Sequence, residues 1–283
     1  MIRRVYAALL ISLFTSVISA SEVTLQHDGL TLNGKLELIP GGDISAGMIL
    51  ILHGTLGHNG MEIISSLQEL FMENDRSSLA INLSLNVDDR HGFYPCESQH
   101  SHKIDDASGE LAAWMSWLGS QGATDVIIVG HSRGGNQVVR FIVDRQADVR
   151  AAILIAPSAA DETTSVDRED ILRQAANSEW LHEVQFLHCS NATVTSQSYV
   201  SYYGPANRIN TPALLEEIEI PVLVFSGSED TVVPGLAEHM MRMNQDNVVF
   251  EEIDGAGHFF RDLYLYDVVD STLAFLEASE RVD

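Results

Sequence analysis

VIIVGHSRGG at 126–135 sets an apolar run, Val126–Val129, against Gly130-His131-Ser132-Arg133-Gly134 and then a helical pattern. A serine at a tight strand-to-helix turn presents its hydroxyl outward, and flanking glycines relieve the crowding around it. Ser132 is therefore the candidate nucleophile. The backbone N–H of Arg133 would face the oxyanion that develops on an attacked carbonyl, aided by the positive end of the helix. A serine hydroxyl needs a base, and the base needs an orienting acid. Downstream, PVLVFSGSEDTVVP at 221–234 runs from a buried-strand pattern into a turn holding Glu229 and Asp230. Glu251–His258 ends in Gly255-Ala256-Gly257-His258. His258 is the candidate base. Asp230 is preferred to Glu229 as its acid because it stands where Thr231-Val232-Val233-Pro234 turns the loop back; Glu229 reads as a solvated charge. His182, His188 and His239 lie outside these turns and read as structural or surface groups.

A second oxyanion donor should follow an early strand. ILHGTLGHNG at 51–60 places His53-Gly54-Thr55-Leu56-Gly57 directly after the apolar MILIL of Met48–Leu52. A backbone N–H there, from Thr55 or from Leu56, would pair with that of Arg133.

These residues need a scaffold that brings strand ends together. Met48–Leu52, Leu79–Leu83, Val126–Val129, Ala152–Ala156, Val222–Phe225 and Val248–Ile253 read as strands, the most apolar without polar alternation, as in a parallel sheet covered on both faces. Helical patterns lie between them at Met61–Glu73, Ala107–Leu118, Gln137–Arg145, Gly235–Met243 and Leu263–Leu276. The alternation predicts an α/β fold with a doubly wound, mostly parallel sheet. Val23–Gln26 and Leu30–Leu38 flank His27-Asp28-Gly29 and predict an antiparallel hairpin. Residues 158 to about 216 are polar, with a helix expected over Glu169–Ala176, and read as a small cap insertion over the sheet.

Together these segments resemble the α/β-hydrolase superfamily from roughly residue 46 to 280. The resemblance implies that fold, a Ser132–Asp230–His258 acyl-enzyme mechanism and no cofactor, but no particular substrate. No H-G-G-G oxyanion run is present, and nothing suggests a propeller domain. Ester hydrolysis of a small or medium acyl compound is the leading expectation. A peptidase or amidase using the same machinery is the first alternative, and a non-catalytic binding protein that keeps the fold is the second. The complete triad argues against the second, and the polarity of the cap argues against a lipase lid.

LNVDDRHGFYPCESQHSHKIDD at 85–106 should border the mouth of the site. Arg90, His91 and Tyr94 are its expected substrate contacts, with Arg90 read first as the partner of a carboxylate and second as a clamp for a substrate carboxylate. His100 and His102 with neighbouring acids could hold a metal, but their spacing fits no established ligand pattern and none is assigned. Cys96 and Cys189 are the two cysteines; they could bridge in an oxidising compartment, which geometry decides.

The chain's 283 residues, 45% of them apolar, suffice for one large domain. Sixteen basic against 40 acidic residues give a formal charge of −24, which disfavours nucleic acid and anionic membranes and reads first as a solvated acidic surface and second as a preference for neutral or cationic substrates. Arg3 and Arg4, the apolar stretch Val5 to Ile18 and the small residues Ser19, Ala20 and Ser21 predict a signal peptide over 1–20, leaving a hydrolase domain at 21–283 in the periplasm or outside the cell. The apolar run is short for a stable membrane span.

Overall fold

A computed structural model describes residues 20–159, 166–205 and 208–279. Residues 1–19 of the expected signal peptide lie outside the described residues. Among the described residues no helix is long and apolar enough to cross a membrane.

The chain runs β1 (Ser21–His27), β2 (Leu30–Glu37), β3 (Met48–Leu52), α1 (Glu62–Glu73), β4 (Ser78–Ile81), β5 (Gln99–His100), α2 (Asp106–Ser120), β6 (Val126–His131), α3 (Arg133–Arg145) and β7 (Ala151–Ile155). It continues through α4 (Val166–Ala175), β8 (Trp180–Phe186), β9 (Cys189–Thr195), α5 (Ser196–Tyr203), α6 (Thr211–Leu215), β10 (Val222–Gly227), α7 (Leu236–Met241), β11 (Val248–Ile253) and α8 (Tyr264–Ser279). Eight strands form one sheet in the order β1-β2-β4-β3-β6-β7-β10-β11. The β1–β2 and β2–β4 pairs are antiparallel, and every later pair is parallel.

The unbroken apolar strands serve two cores, because successive residues point to opposite faces. Leu50, Leu52, Ile128, Leu154 and Val224 meet Leu111, Trp114 and Leu118 of α2 and Val138 and Val139 of α3. Their neighbours Ile49, Ile51, Val129, Ile153 and Phe225 meet Ile64, Leu67 and Phe71 of α1 and Val268 and Val269 of α8 on the other side. Winding helices onto both faces in this way leaves the C-terminal ends of the parallel strands open, which is where such sheets place ligands.

The insertion between β7 and β10 is more ordered than its polarity suggested. Helix α4 forms close to its expected place, but β8 and β9 add an antiparallel hairpin that extends through β5 into a three-stranded sheet, β5-β9-β8. Leu181, Val184 and Phe186 face inward, while His182 and Glu183 are both exposed. The register shifts between Leu181 and Val184, where Glu183 adopts φ 56°, and this bulge breaks the period-two pattern that marks a strand in a sequence. The 85–106 segment is thus an edge of the cap sheet. Cys96 and Cys189 form a disulfide across 93 residues with their Cα atoms 5.4 Å apart, stapling that segment to β9. Closing so long a loop removes about 4–5 kcal/mol of unfolded-chain entropy in the loop-closure account.

Candidate active site

Ser132 sits between β6 and α3 with φ 55° and ψ −125°, a backbone conformation a non-glycine residue rarely adopts. The turn is held by hydrogen bonds: the Ser132 N–H donates to the Ile155 carbonyl at 2.9 Å, and its own carbonyl accepts from Gly135 at 2.9 Å and Ser158 at 3.1 Å. Glycine at 130 is a steric requirement, since a Cβ there would lie 2.6 Å from the Gly134 carbonyl oxygen. Helix α3 begins at Arg133, so the Arg133 N–H belongs to the first turn, which has no intrahelical acceptor.

The loop after β3 passes directly over this elbow. A Cβ on Gly54 would stand 3.1 Å from that of Ser132, so a side chain there would press on the elbow and glycine eases the close approach of the two backbones. Thr55 and Arg133 both line the cavity beside Ser132, and the Arg133 Nε donates to Thr55 Oγ1 at 3.1 Å.

The ends of β10 and β11 supply the partners. His258 Nε2 lies 3.0 Å from Ser132 Oγ, and His258 Nδ1 lies 2.8 Å from Asp230 Oδ2. The other Asp230 oxygen accepts from the backbone N–H groups of Val232 (2.7 Å) and Val233 (3.1 Å), which explains why the loop must turn back after it. Burial pushes the Asp230 carboxyl up, but the hydrogen bonds from His258 and from Val233 and Val232 outweigh it and hold it below the usual aspartate value. Glu229 is exposed and takes no part. His182, His188 and His239 line the same cavity without joining this chain of hydrogen bonds.

Two histidines not singled out by sequence support the site from within. His131 Nε2 contacts the His258 carbonyl at 3.0 Å, bracing the candidate base from behind. His53 Nδ1 is 2.8 Å from the Gly54 carbonyl, while its Nε2 accepts from the Leu83 N–H at 3.1 Å and meets Arg90 at 3.2 Å. His53 is therefore neutral with its proton on Nδ1. Both residues sit inside the motifs that supply the candidate nucleophile and the candidate oxyanion loop, but nothing in their spacing separates support from chemistry.

The expected substrate contacts are placed elsewhere. Arg90 is only 5% exposed and does not line the cavity, and among the described residues no carboxylate lies within ion-pairing distance of it. Its guanidinium instead donates to the carbonyls of Leu83 (2.6 Å), Gly92 (2.5 Å) and Gly57 (2.8 Å). His91 lies outside the cavity against Asp89 at 3.3 Å, and Tyr94 is buried with its hydroxyl donating to the Gln99 carbonyl at 2.6 Å. From that loop it is Phe93 that reaches the cavity. His100 and His102 lie buried under the cap, 3.2 Å apart, with His102 Nδ1 2.9 Å from the Tyr202 hydroxyl. The acids expected beside them are engaged elsewhere: Asp88 accepts from Thr31, Asp89 from Asn33, and Asp105 pairs with Arg140.

The triad and its loops floor a cavity of about 1890 Å³, roofed by residues of α4, β8 and α5 and edged by Phe93, Val232 and Phe259. That volume exceeds the usual range of ~300–1,000 Å³ for a small-molecule site.

The buried histidines give the fold a pH dependence. Burial, assisted by neighbouring positive charge, drives His53 and His102 down to about 3 and His131 to about 4. Each stays neutral in the folded state but takes up a proton in the unfolded chain below about pH 6.5. Their contribution is therefore complete above pH 6.5 and is lost as the pH falls toward 4 and 3. Glu110 works the other way: burial, only partly offset by hydrogen bonds from Ser84, lifts it to about 7, so it binds a proton in the folded state first. Three protons against one give an expected loss of at least about 2 kcal/mol of unfolding free energy per pH unit between pH 5.5 and 4.5, and His58, His100 and His188, also held down by burial, add in the same direction. Urea titrations at pH 7.5, 5.5 and 4.5 read this slope, and a flat profile would contradict the neutral histidines.

A serine elbow, a histidine and a carboxylate carried at the ends of β6, β11 and β10 of a doubly wound sheet define the α/β-hydrolase architecture. The chain matches the alpha/beta hydrolase family over residues 49–265 and belongs to it. It is 24% identical over 169 residues to the bifunctional esterase/perhydrolase DCH of Acinetobacter calcoaceticus, a match covering 47% of this chain and 59% of that protein. The fold is similar to that of Est1E from Butyrivibrio proteoclasticus, with a TM-score of 0.66 and 18% identity over 92% of this chain and all of the other. It is also similar to the hydrolase GrgF from Penicillium sp. sh18, with a TM-score of 0.70 and 17% identity over 93% and 99% of the two chains.

Proposed function

We propose that this protein is an exported serine hydrolase that cleaves a carboxylic ester of a small-molecule acyl substrate through an acyl-enzyme. The observation that carries the reading is the continuous chain Ser132 Oγ–His258–Asp230, at 3.0 and 2.8 Å, on the floor of an open cavity. His258 Nε2 takes the Ser132 proton as Oγ attacks the acyl carbon, and Asp230 stabilises the imidazolium that results. The N–H groups of Thr55 and Arg133 receive the oxyanion. His258 then returns the proton to the departing alkoxide, and a water deprotonated by the same histidine hydrolyses the acyl-enzyme. The esterase activity in the name of the Acinetobacter relative supports an ester over an amide. Export is supported by the arginine-led apolar stretch at the N-terminus and by the Cys96–Cys189 disulfide, a bond that persists in oxidising compartments.

A fluorophosphonate followed by peptide mass spectrometry tests the reading. One adduct on Ser132 is expected, lost in His258→Ala. Absence of labelling, under conditions where a control hydrolase reacts fully, would rule the mechanism out.

A further inference from the structure

One cation at the floor of the cavity has a side chain that the proposed reaction does not use. Arg140, Arg150, Arg173, Arg208, Arg242 and Arg261 each sit on a carboxylate. Arg90 has four of its five N–H groups taken by three carbonyls and His53. Arg133 differs from all of these. It is half-buried and lines the cavity beside Ser132, and Nε alone is engaged, by Thr55 Oγ1. Among the described residues, its four remaining N–H groups meet no acceptor and no carboxylate lies within ion-pairing distance. In a chain with 40 acidic residues that is not for want of supply.

Its surroundings leave the charge uncompensated. The guanidinium carbon stands 5.5 Å from the centre of the Tyr202 ring, whose hydroxyl burial keeps protonated. His102 and His188, which feel the Arg133 charge, are both held below the ordinary histidine value, first by their own burial. The aromatic ring and Thr55 fix the plane of the fork, as bidentate recognition of a carboxylate requires. The seven acids that border the cavity, Glu62, Glu69, Glu73, Asp167, Glu183, Glu238 and Asp262, are all exposed, so salt screens them more than it screens a contact at the half-buried Arg133.

We propose that the Arg133 side chain is a specificity determinant that binds a carboxylate carried by the substrate near its scissile carbonyl, so that the preferred esters are half-esters of dicarboxylic acids. This rests on the ester-hydrolase reading above and narrows it. The backbone N–H of Arg133 serves the oxyanion whatever the side chain, so the side chain acts on substrate choice.

The test compares 4-nitrophenyl hydrogen glutarate with the neutral isostere 4-nitrophenyl 5-methylhexanoate, and the adipate half-ester with the 6-methylheptanoate. Each rate is taken over the Ser132→Ala background, which removes self-cleavage of the half-esters. Wild type should prefer one of the carboxylates by about ten- to a hundredfold in kcat/KM, carried mostly by KM. Arg133→Met should bring that ratio close to one, and Arg133→Lys should restore part of it, with circular dichroism checking that both fold. Because the readout is a ratio within one protein, a general loss of activity does not mimic it. A wild-type preference below about threefold, a preference that survives Arg133→Met, or hydrolysis of neither ester by protein that labels on Ser132 overturns the proposal and leaves the serine-hydrolase reading standing. Failure to label at all overturns both.

Discussion

Ser132→Ala is expected to lower ester turnover by about four to six orders of magnitude, and His258→Ala by a similar amount. The double variant should be no worse than either single one, because the two residues act as one device: without Oγ the imidazole has no proton to take, and without the imidazole Oγ stays a weak nucleophile. Asp230→Asn should cost about 10⁴-fold, since an amide nitrogen facing His258 Nδ1 selects the wrong tautomer. Glu229→Gln, one residue away on an exposed turn, should leave turnover within about twofold. Steady-state hydrolysis of 4-nitrophenyl butyrate by the five proteins decides the matter. Residual activity above about a tenth of wild type in Ser132→Ala would mean that another group attacks the ester. A large loss in Glu229→Gln with Asp230→Asn unaffected would reassign the acid.

The hydrogen-bonded trio Ser132, His258 and Asp230 could be picked out as candidates in the sequence because each member is announced by a local constraint. The elbow needs Gly130 where a Cβ would strike the Gly134 carbonyl, and Asp230 needs the turn that aims two N–H groups at its second oxygen. The sheet was legible for a similar reason, as strands buried on both faces carry no polar alternation. The first helical turn of α3 was less visible, because Gly134 and Gly135 are poor helix formers and only the geometry of the elbow starts a helix there. The cap hairpin was missed because a bulge at Glu183 sets two exposed residues side by side. The loop at 85–106 failed for another reason. Its position near the site was correct, but side-chain direction is set by partners distant in sequence: Gly57 and His53 for Arg90, Gln99 for Tyr94 and Cys189 for Cys96. A charged residue in a loop looks the same in a sequence whether it points at substrate or into the protein.

Arg90 shows what that difference is worth, since Arg90→Met should destabilise the fold by about 3–5 kcal/mol. The substitution keeps much of the side-chain volume but removes the donors to Leu83, Gly57 and Gly92, leaving three carbonyls short of a partner in a largely dry region. It also removes the donor facing His53 Nε2, the residue that ties the start of the oxyanion loop to the end of β4. For a domain of this size the expected fall in Tm is on the order of 10 °C. Arg90→Lys should recover little, because one ammonium on a flexible stem cannot reach acceptors on three separate segments at once. Burial lowers the Arg90 pKa to about 10, with the Glu110 charge opposing the shift, so it remains a cation at neutral pH and the loss does not depend on working pH. Turnover of a neutral ester, measured well below the new Tm, should fall at least about tenfold in kcat, because Gly57 closes the segment that carries the Thr55 N–H. A substrate clamp would behave in the opposite way: an unchanged Tm, an unchanged kcat for neutral esters and a raised KM for anionic ones. That second pattern would return Arg90 to the substrate and weaken the assignment of the carboxylate contact to Arg133. The first would leave the carboxylate contact with Arg133, which lines the cavity beside Ser132, and make Arg90 the pin that holds the segment carrying the Thr55 N–H in place.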